Sequence, residues 1–147
     1  MKNKNKNSKF FLFLLLIPLL AGLLGLPRLV WAKNSIVISS VQIAGNSASN
    51  DFIELYNSSC ATIDISNWKL RSRNGSTSAT ESSIKVLEDN LKISAKGYFL
   101  WANSSFSTSI DADESSTAGL SNNYSLAVLD SESTLIDSIT WGINYNP

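Results

Sequence analysis

The sequence predicts an all-β sandwich of about seven short strands, preceded by an N-terminal signal helix. Three observations lead there. Past Leu26 the apolar residues alternate with polar ones over short runs, the period of a strand with one buried face. Clusters of Ser, Asn and Gly separate these runs. No segment beyond the N-terminal stretch sustains an apolar repeat at helical spacing.

The elements follow in order. The first strand is Ile36 to Ala44, with Ile36 and Ile38 in one phase and Val41 and Ile43 in the other. That phase change at Ser39-Ser40 predicts a bulge or a strand changing sheets. After the polar loop Gly45 to Asn50 comes Asp51 to Asn57, where Ile53 and Leu55 share one face. Ile63 and Ile65 lead into Asn67 to Arg73, which puts Trp68 and Leu70 inward and Lys69, Arg71 and Arg73 outward. Asn74-Gly75 opens a turn, and Ser76 to Ser83 reads as a polar loop. Ile84 to Leu87 forms a short strand. Ala95-Lys96-Gly97 turns into Tyr98 to Ala102, which is apolar on both faces and therefore central in its sheet. Asn103 to Asn123 is the longest irregular stretch. Tyr124 to Leu129 and Thr134 to Trp141 flank Asp130-Ser131-Glu132-Ser133 as a hairpin. The expected core comprises Ile53, Leu55, Trp68, Leu70, Phe99 and Trp101.

The two ends differ in charge. Lys2, Lys4, Lys6 and Lys9 precede the apolar run Phe10 to Leu26, and small Ala32 follows, with Val30 two positions before it. A basic head, an apolar stretch and a small cleavage residue make a secretory signal. Residues 1–32 are expected to be the signal peptide, or an uncleaved N-terminal membrane anchor, and residues 33–147 the domain. Localisation is then secreted or cell surface, with membrane contact only through the N-terminal segment. Five of the 12 basic residues lie in residues 1–32 and all 12 acids lie beyond it, so the domain carries about five net negative charges. That disfavours nucleic acid as a partner, since such binding rests on neutralising phosphates. Cys60 is the sole cysteine, which excludes an internal disulfide; it reads as a small, half-buried apolar residue.

Several blocks carry a family resemblance: Ile36 to Gly45, Asp51 to Asn57, Ile63 to Leu70, Ala95 to Leu100, Val128 to Asp130 and Ile136 to Gly142. In that order they resemble a lamin tail domain of the exported bacterial type. FIELYN followed by Ser66-Asn67-Trp68-Lys69-Leu70 is the most specific part. The resemblance implies an immunoglobulin-like β-sandwich with no catalytic residues, acting in protein contacts. Ser40 stands where the family often has an acid, and Ser58 near its usual Pro. Members of this type commonly continue past the Trp-Gly pair. Two readings stay open there: a chain truncated at its C-terminus, or a final edge strand that is missing.

The inventory of chemistry is short. Histidine is absent, which removes His triads, His bases and His metal ligands. A single Cys cannot build a thiolate zinc site, and no Gly-rich phosphate loop appears. No cofactor and no enzymatic activity are expected. Asp111, Asp113 and Glu114 could offer oxygens to a Ca²⁺ ion, against the plainer reading of a solvated acidic loop. Lys69, Arg71 and Arg73 could bind a cell-surface polymer, an anionic glycan or nucleic acid, together with an exposed aromatic. The plainer reading is a solvent face whose Arg stems cover apolar surface. Trp101 and Trp141 could stack on sugars, or serve as core aromatics. Sequons at Asn57, Asn74, Asn103 and Asn123 are chance matches in a chain this rich in Asn and Ser. The expected partner is a protein.

Overall fold

The computed structural model describes residues 35–74 and 80–142. The segment expected to be a signal, the turn expected after Asn74 and the chain beyond Gly142 lie outside the described residues. Ten strands form: β1 (Ile36–Gln42), β2 (Phe52–Asn57), β3 (Ile63–Asp64), β4 (Lys69–Asn74), β5 (Glu81–Val86), β6 (Lys92–Ile93), β7 (Tyr98–Asn103), β8 (Glu114–Ser116), β9 (Tyr124–Leu129) and β10 (Leu135–Thr140). One sheet has the order β1-β2-β7-β8 and the other β10-β9-β4-β5, while β3 and β6 make a small separate ladder. All pairings are antiparallel except β7 with β8.

Alternation builds the interior. In β2 Ile53, Leu55 and Asn57 are buried while Phe52, Glu54 and Tyr56 are half-buried. Leu70 of β4, Phe99 and Trp101 of β7, and Leu126 and Val128 of β9 join them in one core spanning both sheets. Each such apolar side chain, fully buried, stabilises the fold by roughly 1.5–3 kcal/mol. The phase change in β1 is a bulge: register shifts between Ile38 and Ser40, so both halves of β1 can direct apolar residues inward. The hairpin around Asp130 forms as β9 and β10. Its turn is held by the Asp130 carboxylate, which accepts the N–H groups of Glu132 and Thr134 at 2.9 and 2.8 Å.

Three expectations need correction. The described residues form ten strands where about seven were expected, because segments read as loop pair with neighbours. Glu81, Ser82 and Ser83 extend β5 by pairing with β4, and the irregular stretch 103–123 contains a 3-10 turn (Ser107–Ser109) and the parallel strand β8. Trp68 is not in the interior. Asn67 turns through positive φ and β4 begins only at Lys69, so the indole is half-buried and packs against the core from its margin. The fully buried indole is Trp101. Cys60 is exposed, standing in the loop after β2. That loop is organised by Asn57, whose buried side-chain amide donates to the carbonyls of Ala61, Ile93 and Ser94 at 2.8–3.0 Å.

Free strand edges invite pairing with other chains. Side chains block them at both seams of the sandwich. On one side Asp137 of β10 accepts the Ile38 N–H of β1 at 2.8 Å. On the other, Ser116 of β8 donates to the Ile84 carbonyl of β5 at 2.7 Å. Beside that bond Glu114 of β8 pairs with the Lys85 ammonium of β5 and accepts the Glu88 N–H at 3.0 Å. The hydrogen bond to Glu114 outweighs desolvation and holds the Lys85 pKa above its ordinary value of 10.5. A raised lysine pKa adds stability that is complete below the unfolded value and is lost as pH rises through the folded one. Glu114→Gln keeps an acceptor for Glu88 but removes the charge. The stability gap between wild type and this variant, read from urea unfolding, is therefore expected to be level from neutral pH to about pH 10 and to shrink above it. A gap of unchanged size at about pH 12 would contradict the pairing.

Candidate interaction face

The sequence of β4 directs Leu70 and Ser72 inward and Lys69, Arg71 and Arg73 to the outside of the β10-β9-β4-β5 sheet. Register then decides what surrounds them. Leu135, Leu129, Lys69 and Val86 lie in one row across the four strands. Ser138, Ala127, Arg71 and Ser83 make the next, and Thr140, Ser125, Arg73 and Glu81 the third. Small side chains on β9 and β10 thus lie beside long ones on β4. The difference in length leaves a hollow of about 370 Å³ whose lining comes entirely from these four strands. Leu135, which lines it with Leu129 at its apolar end, is 53% exposed.

The three cations do not form a uniform stripe. Lys69 is half-buried and tied to the β9–β10 turn, donating from Nζ to the Ser131 carbonyl at 3.1 Å and the Ser133 hydroxyl at 2.5 Å. Arg71 is half-buried. Its Nε lies 3.7 Å from Glu81 Oε1, an ion pair too long to be a hydrogen bond, and Nε itself has no acceptor among the described residues. Arg73 is exposed. One acid, Glu81, stands among the three cations in these rows.

The acidic loop is taken apart by the fold. Asp113 accepts the Leu100 N–H at 2.7 Å and returns its own N–H to the Leu100 carbonyl at 2.9 Å, which pins the loop to β7. Glu114 is buried at the seam with Lys85. Asp111 is exposed on a residue of positive φ. Among the described residues no group of three His, Cys, Asp or Glu side chains is arranged to hold a metal ion. Two of the three carboxylates, Asp113 and Glu114, already accept backbone N–H groups.

The aromatic candidates also separate. Trp101 is fully buried and offers no stacking surface. Trp141 is half-buried against the core and donates its indole N–H to the Ser121 carbonyl at 2.7 Å. The most exposed aromatic among the described residues, Tyr98, is on the other sheet, tilted 36° against Tyr56 with ring centroids 4.8 Å apart. Among the described residues no exposed aromatic accompanies the cations. Sequence reasoning did not single out Asp51, Asn57 or Glu81 for a role. Glu81 lies in the stretch read as a polar loop, where no apolar alternation marks a strand.

Residues 30–142 match the family model described as Lamin Tail Domain. No curated protein matches the chain.

Proposed function

Because the chain belongs to the lamin tail domain family, whose members are non-catalytic immunoglobulin-like modules, we propose that it is an exported interaction module of the bacterial type. In this reading it contacts a protein partner outside the cytoplasm through the outer face of the β10-β9-β4-β5 sheet. The observation that carries the reading is the open hollow on that face, apolar at one end and charged at the other. Such mixed character suits a partner better than solvent. The basic head and apolar run at residues 2–26 support export. Mass spectrometry of exported material is expected to find a chain beginning at Lys33.

The face is tested by placing a photo-crosslinking amino acid at Ala127, in its middle, and at Ser47, exposed in the β1–β2 loop, in the full chain inside exporting cells. A discrete protein adduct from Ala127 alone, weakened by Leu135→Glu, is the expected result. No adduct, or equal adducts from both positions, would overturn the reading.

A second reading, contact with an anionic polymer, draws on three cations against one acid. Lys69 and Arg71 already have partners, however, which leaves Arg73 as the exposed cation, and a single cation holds a polymer weakly in salt. The expected outcome is no retention of the full chain on polyphosphate or polygalacturonate columns at physiological salt. Retention that disappears when Lys69, Arg71 and Arg73 are all replaced by Ala would favour the polymer instead.

A further inference from the structure

We propose that the β10-β9-β4-β5 face takes an extended protein segment bearing an aliphatic side chain and, four residues along, a carboxylate. The inference rests on the reading of this face as a protein-contact surface and specifies its chemistry. The polarity of the face runs along its strands. At one end Leu129 and Leu135 make an apolar floor, with Leu135 standing 53% exposed. At the other end lie Ser125 and Thr140, with Arg73 beside them on β4. Between the ends, Ala127 and Ser138 keep the floor low while Arg71 rises as its wall. Leu129 and Ser125 are four residues apart on one strand, about 13 Å. A segment in extended form laid along β9 turns alternate side chains toward the sheet at the same pitch. Its first inward side chain meets Leu129 and Leu135, its second crosses Ala127 where only a small residue fits, and its third reaches the guanidinium groups.

Charge selects the third residue. Arg73 is exposed at that end, and the one carboxylate opposite it across β4 and β5 is Glu81, which also pairs with Arg71. A second carboxylate meets the exposed Arg73 guanidinium there, in the planar geometry that carboxylates match. Lys69 contributes less, since its ammonium is committed to Ser131 and Ser133. A cationic segment would meet like charge.

The experiment selects random phage-displayed peptides on the full chain and measures the recovered sequences as synthetic peptides. The expected result is enrichment of Asp or Glu four residues from an aliphatic side chain. Binding of such a peptide should fall about tenfold on Arg73→Gln, on Leu135→Ser, or on amidation of the peptide's acid. The acid and Arg73 substitutions should be non-additive, because each removes the same contact. Glu81→Gln removes the competing carboxylate and should strengthen binding severalfold, a gain that misfolding cannot mimic. Failure to enrich the pattern, binding indifferent to Arg73→Gln, or weakened binding on Glu81→Gln would overturn the proposal. So would capture of polyphosphate in place of peptides. If the Ala127 adduct persists undiminished with Arg73→Gln, the face remains a protein contact and the aliphatic-acid chemistry falls.

Discussion

Asp51→Ala is expected to destabilise the protein by about 3 kcal/mol or more, although Asp51 touches no candidate site. The side chain is fully buried. Its Oδ1 accepts the Ala44 N–H and its Oδ2 the Leu120 N–H, both at 2.7 Å. One carboxylate thereby joins the end of β1 to the segment before β9. Ala44 sits at positive φ, so its N–H is presented to Asp51 by a turn that has no strand partner to offer. Hydrogen bonds to a charged group contribute about 1.5–3 kcal/mol each, and a buried donor left without an acceptor costs about 1–3 kcal/mol. Alanine removes both acceptors at once. Asp51→Asn keeps one carbonyl oxygen and sets an amide N–H₂ against the other donor, so its cost should be large but smaller than that of alanine. Urea unfolding of the three proteins, compared at equal slope, measures the difference. An alanine variant within about 1 kcal/mol of wild type would show that the carboxylate does not brace the fold.

Trp101→Ala is the second substitution of large effect, at about 3–5 kcal/mol. The indole is fully buried on β7, with Ile53 of β2 as one cross-strand neighbour and Glu114 of β8 as the other. Close-packed surroundings of this kind collapse only in part around a deletion. Its Nε1 has no acceptor among the described residues. Trp101→Phe therefore loses apolar contact but also loses a donor that is costly to bury, and its penalty should fall well below that of alanine. Trp68→Ala, at the half-buried margin, should also cost less than Trp101→Ala. Thermal unfolding ranks the three variants; a Trp68 penalty equal to or above that of Trp101 would reverse the assignment of the core.

The chain sequence by itself determined the sandwich, the phase change within β1, the hairpin β9–β10 and the direction of Lys69, Arg71 and Arg73. Each is a matter of phase, and phase is a local property: successive side chains in a strand point to opposite faces whatever the partner strand is. Tertiary structure alone decided the fate of the polar residues. Glu81 to Ser83 carry no apolar signal and become strand only because β4 lies alongside. Glu114 looks like its neighbours in an acidic loop, yet the approach of Lys85 buries it. Asp51 finds its second donor at Leu120, 69 residues away. Asp137 finds its donor at Ile38, 99 residues away. A polar group's place depends on which donors and charges the fold brings to it, and the spacing of residues along the chain does not record that.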